Sequence, residues 1–169
     1  MTDDLRSAPV PPLDLACDHV RGPAAAPLVF FYGDFACPRC ALAHRRLQAG
    51  APVRLVFRHF ALRSKHRRAV ALACAAEAAA QQGRFWELHD LLFEQPGRQE
   101  DPDLWAHAGA LGLDLERFES GRRSAEVAVR VKNDLRGGMR AGVAQAPTLA
   151  VRGVLYPGPP ASMDFIFGK

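Results

Sequence analysis

The residues best suited to chemistry are two cysteines, Cys37 and Cys40, in the motif Cys-Pro-Arg-Cys. Two thiols at this spacing can close into a small disulfide ring and open again. The apolar run 27–32 ahead of them predicts a buried strand, and Pro38 is typical of the first turn of a helix. A thiol at a helix start faces the positive end of the helix dipole, which favours the thiolate. The same motif is also half of a zinc site, so the pair alone leaves both chemistries open.

Composition indicates one globular domain. The chain has 169 residues, of which 49% are hydrophobic and 24% charged, enough for a sizeable core. No apolar run is long enough to predict membrane insertion. The start carries Asp3 and Asp4 and no basic segment followed by an apolar one, so it does not read as a secretory signal. The expected compartment is therefore cytoplasmic, where a thiol pair is more often catalytic or metal-binding than a lasting crosslink.

The net charge of +4 is unevenly distributed, because no Asp or Glu occurs between Ala36 and Ala76. Aromatic residues are not interleaved with the basic ones as base stacking would need, so we expect a solvated positive face and no nucleic-acid partner. Because the basic run begins at the cysteine motif, its potential should favour a thiolate there. Its members are Arg39, Arg45, Arg46, Arg54, Arg58, Arg63, Lys65, Arg67 and Arg68.

The order of elements predicts an α/β fold with a central mixed sheet. A proline-rich extension, 1–26, precedes a domain at 27–169, whose middle, at about 66–143, is helical. The first strand, the helix after the cysteines and the second strand should form a right-handed unit with parallel strands. A hairpin near the end should complete the sheet. The expected strands are 27–35, 53–60, 149–151 and 154–156, and the expected helices are 38–49, 67–83, 84–94, 103–111, 115–120 and 124–139, with a short one within 161–169.

This arrangement closely resembles the DsbA-like thioredoxin family over roughly residues 18–158. The resemblance implies a thioredoxin fold with a helical insertion, thiol–disulfide exchange with protein or small-molecule thiols, a possible redox partner and no cofactor. Similar domains also occur fused to sodium/proton antiporters. The stretches that carry it are Asp18-His19-Val20-Arg21-Gly22-Pro23, Gly33-Asp34-Phe35-Ala36-Cys37-Pro38-Arg39-Cys40, Phe57-Arg58-His59-Phe60, Gln82-Gly83-Arg84-Phe85-Trp86-Glu87-Leu88-His89 and Leu111-Gly112-Leu113-Asp114.

The cysteine pair takes catalytic roles under this interpretation. Cys37, at the helix start, is the expected nucleophile, and Cys40, one turn on, is the resolving thiol. The resemblance also implies that Pro147, in Ala146-Pro147-Thr148, follows a cis peptide bond beside the sulfurs, keeps metal away from them and helps to bind the substrate backbone. The residues predicted to bind substrate are Pro38, Arg39, Ala146 and Pro147.

Three neighbours of the motif refine these expectations. The cation of Arg39 should stabilise the reduced thiolate and so raise the reduction potential. Relatives often carry a buried carboxylate six residues before the first cysteine, where this chain has Phe31. Asp34 is closer in sequence and is expected to substitute for that carboxylate through water.

Other interpretations remain open. His59 and His66 could complete a zinc site with the cysteines, but no second Cys-x-x-Cys is present, and we predict no metal. Cys74 has the surroundings of a small core residue. The alternative functions are a binding or regulatory module without turnover, which the absent carboxylate favours, and a glutathione-dependent isomerase or transferase, which two thiols disfavour.

Overall fold

A computed structural model of the protein describes residues 8–168, which form five strands, six helices and a short 3-10 helix. The predicted α/β fold is confirmed. The strands are β1 His19–Arg21, β2 Leu28–Gly33, β3 Arg54–His59, β4 Thr148–Val151 and β5 Val154–Pro157. The helices are α1 Pro38–Ala49, α2 Ala69–Ala80, α3 Phe85–Glu94, α4 Asp101–Ala110, α5 Leu115–Arg122 and α6 Ala125–Arg140, followed by the 3-10 helix Asp164–Phe167.

The strands form one mixed sheet in the order β1-β3-β2-β4-β5. Strands β2 and β3 are parallel, with Phe30 beside Val56, and α1 connects them as the sequence predicts. Strand β4 runs antiparallel to β2, so the hairpin of β4 and β5 completes one side of the sheet. The carboxyl end of β2 therefore lies next to the amino end of β4, and this edge brings together two distant parts of the chain.

Alternate residues of β2 enter different cores, as the pleat of a strand requires. Val29 and Phe31 belong to the larger core, which the sheet shares with α1 to α5. Phe30 and Tyr32 belong to a smaller core on the other face, which includes Val143. With helices or loops over both faces, β2 is apolar on both sides rather than alternating, whereas β3 also carries Arg54, Arg58 and His59.

The segment before residue 27 belongs to the sheet and to the smaller core. Strand β1 pairs antiparallel with β3, placing Val20 beside Val56. Val10 and Leu13 pack against the core that contains Tyr32. The expected extension therefore contributes a strand and part of the cover of one face, although residues 1–7 lie outside the described part. A strand of three residues is too short to show a period of two.

None of the helices between residues 8 and 168 is both long and apolar enough to cross a bilayer.

Candidate active site

The turn after β2 places Cys37 at the start of α1. The backbone N–H of Cys37 donates to the carbonyl of Asp34 at 3.1 Å. Cys37 is the residue immediately before the helix and has an extended backbone, with φ −94° and ψ 117°, while Pro38 occupies the first turn. Proline fits there because its absent N–H would have no partner within the helix. The Cys37 side chain thus stands at the positive end of the helix, as predicted.

The two thiols differ in burial. Cys37 is 6% exposed and Cys40 is fully buried. Cys40 lies on the inward face of α1, which it shares with His44 and Leu47 at steps of four and seven residues. Both cysteines are free thiols in this structure. Cys37 is therefore the sulfur nearer to solvent, and Cys40 stands behind it.

The electrostatic setting separates the pKa values of the pair. A hydrogen bond from the Cys40 thiol, aided by the backbone N–H groups of Cys40 and Arg39 and by the charge of His66, lowers the pKa of Cys37 to about 6 against the effect of burial. Burial above all raises the pKa of Cys40, and its hydrogen bond to Cys37 adds to the rise. At neutral pH the first sulfur is therefore mainly thiolate and the second is a thiol.

The loop before β4 brings a backbone carbonyl to the reactive sulfur. The Sγ atom of Cys37 lies 3.7 Å from the carbonyl oxygen of Ala146. The peptide bond between Ala146 and Pro147 is cis. The carbonyl of Pro147 accepts a hydrogen bond of 2.8 Å from the N–H of Gly158, and the hydroxyl of Thr148 donates to the carbonyl of Gln145 at 2.7 Å. These bonds hold the loop in place beside Cys37.

Asp34 contacts the buried thiol through its backbone and the partly exposed His66 through its carboxylate. Its carboxylate is 2% exposed, and its backbone N–H donates to the Sγ of Cys40 at 3.4 Å. One carboxylate oxygen accepts the N–H of Ala36 at 2.9 Å, and the other lies 2.7 Å from Nδ1 of His66. The His66 side chain is 32% exposed. Burial raises the pKa of Asp34 although its hydrogen bonds oppose this, and the carboxylate in turn contributes to the raised pKa of Cys40.

His66 is a residue that the sequence reasoning considered only as a zinc ligand. A usable signal existed, because the carboxyl ends of parallel strands lie at one edge of a sheet. His66 follows β3 by a few residues, as Asp34 follows β2, so the two loops should meet. The position six residues before Cys37 carries no charge, since Phe31 is fully buried and stacks against Phe93 in the larger core.

A groove beside Cys37, called here the active-site groove, has a volume of about 420 Å³. Of the predicted site residues, Asp34, Cys37, Pro38, Arg39 and Ala146 line it, while Cys40 and Pro147 lie behind its surface. The remaining lining residues are Phe60, Leu62, Lys65, His66, Ala144 and Gln145.

Arg39 stands on one wall of this groove. Its guanidinium lies against Gly158, where a Cβ atom would come within 2.9 Å of Nη2. Toward the Cys37 thiolate, Arg39 contributes its backbone N–H. The effect of its charge on the reduction potential stays a prediction.

Two clusters of metal-ligating residues lie in the described part of the chain, and neither includes Cys37 or Cys40. In the first, the Nε2 atoms of His19 and His59 each lie 2.7 Å from the same oxygen of Glu77, which the two imidazoles share. The second consists of His44, His89 and Asp90, and its carboxylate pairs with the guanidinium of Arg21 at 2.7 Å. The zinc site of His59 and His66 with the two cysteines is not formed, because His59 contacts Glu77 and His66 contacts Asp34 instead.

A comparison with protein families identifies the chain. The model of a family described as thioredoxin matches residues 15–165. The chain belongs to this family. A thioredoxin-like oxidoreductase from Silicibacter pomeroyi DSS-3 is 27% identical, with a TM-score of 0.73 and coverage of 83% of each chain. The thiol-disulfide exchange protein alpha-DsbA2 from Wolbachia pipientis covers 92% of this chain and 86% of its own with a TM-score of 0.76, but at 15% identity it supports the fold alone.

The resemblance to DsbA-like proteins is confirmed. Curated relatives of the chain include proteins named as sodium/proton antiporters, in line with the occurrence of similar domains fused to such antiporters. A protein named Na(+)/H(+) antiporter NhaA 1 from Salinispora arenicola is 42% identical over 147 residues, which are 84% of this chain and 22% of that protein. One of the same name from Mycolicibacterium vanbaalenii is 40% identical over 156 residues, 88% of this chain and 25% of that protein. The chain thus spans about a quarter or less of the length of these relatives.

Proposed function

We propose that this thioredoxin-family domain is a thiol–disulfide oxidoreductase that uses Cys37 and Cys40 as its redox pair and exchanges disulfides with protein or small-molecule thiols. The observation that carries the proposal is the contrast between the two sulfurs. Cys37 is at a helix start with a pKa lowered to about 6, and Cys40 is buried one turn behind it with a raised pKa. A thiolate attacks disulfides and a thiol does not, so the order of attack follows from this contrast.

In the reducing direction, the Cys37 thiolate attacks one sulfur of a substrate disulfide. The sulfur–sulfur bond of the substrate breaks, one substrate thiolate leaves and a mixed disulfide forms on Cys37. Cys40 then loses its proton and attacks the Cys37 sulfur, which releases the second substrate thiolate and leaves a Cys37–Cys40 disulfide. The protein loses two electrons, the substrate gains them, and the oxidising direction is the reverse of these steps.

Proton transfer from Cys40 is the demanding step, because burial disfavours its thiolate. We infer that the Asp34 carboxylate accepts this proton and that His66 passes it to solvent. The contacts that support the inference are the 3.4 Å bond from the Asp34 backbone to Cys40 and the 2.7 Å contact of the carboxylate with His66. Asp34 would thereby replace the carboxylate that relatives carry where this chain has Phe31.

The cytoplasmic compartment expected from the sequence stays part of the proposal.

Reduction of insulin disulfides by dithiothreitol tests the activity. The wild-type chain should accelerate the reaction, and Cys37→Ser should abolish the acceleration while a matched exposed variant, Cys17→Ser, keeps it. Equal rates for wild type and Cys37→Ser would overturn the proposal and leave the module without turnover.

The role of Asp34 is tested by single-turnover release of substrate from the mixed disulfide. Asp34→Asn should slow release about tenfold or more near neutral pH, because general-base assistance is worth about 10² to 10⁴ in rate. Formation of the mixed disulfide should change less. Glu94→Gln, an exposed carboxylate on α3, serves as control, and an equal effect of both variants would contradict the role.

A further inference from the structure

Two cationic side chains line the active-site groove. Arg39 belongs to α1, and Lys65 belongs to the loop after β3, which also contributes His66. The one carboxylate among the lining residues is Asp34, which is 2% exposed and turned toward His66. An approaching molecule therefore meets cations at the surface and no free carboxylate.

Arg39 is an exposed residue whose guanidinium lies close to the loop that follows β5. Its guanidinium lies against Gly158, whose N–H is bound to the carbonyl of Pro147 at 2.8 Å. Gly158 has φ +87°, and a side chain at this position would collide with the Arg39 Nη2 atom. The glycine thus leaves the space in which the guanidinium rests beside the cis-proline loop.

The size and the lining of the groove also limit which molecules can enter it. Its volume of about 420 Å³ falls within the range of small-molecule sites, and its floor beside Cys37 is apolar, with Phe60 and Leu62. A substrate sulfur and its methylene would contact this floor, and groups on either side of the sulfur would reach the charged walls. Carboxylates at those positions would be matched by Arg39 and Lys65.

We propose that the active-site groove selects thiols and disulfides that carry carboxylates close to the sulfur. The proposal rests on the proposed function and adds the chemical class of its substrate. Without these cations, an anionic disulfide would react slowly, because its charge is repelled by the thiolate that must attack it. The cations that line the groove offset this repulsion, so an anionic disulfide should react faster than a cationic one.

The experiment compares three small disulfides of different charge as oxidants of the reduced protein. They are 3,3′-dithiodipropionate, which is anionic, bis(2-hydroxyethyl) disulfide, which is neutral, and cystamine, which is cationic. Each rate constant is divided by that of the same disulfide with dithiothreitol, which corrects for the leaving thiol. At about 0.01 M salt the corrected rate should be about tenfold higher for the anionic than for the cationic disulfide, and at about 1 M salt the difference should largely vanish.

Substitutions locate the effect. Lys65→Gln and Arg39→Gln should each lower the ratio of the corrected anionic rate to the corrected neutral rate about two- to fivefold at low salt, as expected for one exposed charge pair. Arg67→Gln removes a cation outside the groove whose side chain is 83% exposed, and it should leave the anionic rate within about 1.5-fold of wild type. A short peptide with glutamates flanking its cysteine, compared with its lysine counterpart, shows whether the preference extends from small molecules to polypeptides.

The outcomes distinguish the proposed selectivity from the proposed oxidoreductase activity. Oxidation by all three disulfides at equal corrected rates, a cationic preference, or an equal loss in Arg67→Gln and Lys65→Gln would overturn the selectivity and leave the oxidoreductase intact. Failure of even the neutral disulfide to oxidise Cys37 and Cys40 would overturn the oxidoreductase itself, and the selectivity with it.

Discussion

Removing the Cys40 thiol should raise the pKa of Cys37, because a hydrogen bond from Cys40 is the largest cause of its low value of about 6. A hydrogen bond to a charged group contributes about 1.5–3 kcal/mol, and one pKa unit corresponds to about 1.36 kcal/mol. Cys40→Ala should therefore raise the pKa of Cys37 by about one to two units. Cys40→Ser keeps a donor and should give a smaller rise.

The assay is the ultraviolet absorbance of the thiolate as a function of pH. Burial raises the pKa of Cys40 and Cys74, and a hydrogen bond with Asp14 raises that of Cys17, so the step at lowest pH belongs to Cys37. Alkylation rates are a weaker readout, because a thiolate of higher pKa is also more nucleophilic and offsets its smaller population.

Two results would refute the reasoning. One is a Cys37 pKa that stays within about 0.3 units of wild type in Cys40→Ala, since that shift is far below the value of a charge-assisted bond. The other is an equal shift in Cys17→Ala, an exposed thiol in the loop before β1, which should leave Cys37 unaffected.

Three further predictions concern stability. The lowered pKa of Cys37 stabilises the folded, reduced protein. This contribution is fully present above the pKa of an unfolded cysteine, near 8.5, and is lost as the pH falls through about 6. In urea unfolding, the free energy of unfolding of reduced wild type relative to reduced Cys37→Ser should therefore increase by about 3 kcal/mol between about pH 5 and pH 9. Gly33→Ala would place a Cβ atom 2.6 Å from the ring of Phe57 and should lower the unfolding free energy by about 1–3 kcal/mol in the same assay, whereas an unchanged midpoint would contradict that packing. Glu77→Gln weakens the acceptor shared by His19 and His59, and thermal unfolding should reveal a loss of about 1–3 kcal/mol, which an unaltered melting temperature would rule out.

The regular elements were predictable because each leaves a strong local pattern. The apolar run before Cys37 and the proline after it define a buried strand and a helix start, and both lie where predicted. Glycine and proline mark the ends of several other elements, so the observed bounds of these elements differ from the predicted bounds by only a few residues. Strand β1 was not predicted, because its three residues pair through backbone hydrogen bonds and are too few to show a side-chain pattern.

The candidate site was predictable in its sulfurs and less so in its surroundings. Cys37 and Cys40 follow from spacing, and Ala146 and Pro147 from a family resemblance, since more than a hundred residues separate them from the cysteines. The partner of Asp34 depends on how two loops meet in space. Sequence reasoning therefore found the carboxylate but not His66, whose Nδ1 lies 2.7 Å from it.

Trapping the mixed disulfide tests the central claim most directly. Cys40→Ser removes the resolving thiol, so attack by Cys37 on insulin should stop at a covalent adduct. Non-reducing electrophoresis should show this adduct, and dithiothreitol should release it. Cys37→Ser, which retains Cys40, Cys17 and Cys74, should form none. No adduct in Cys40→Ser, or an equal amount in Cys37→Ser, would contradict the assignment of Cys37 as the attacking sulfur.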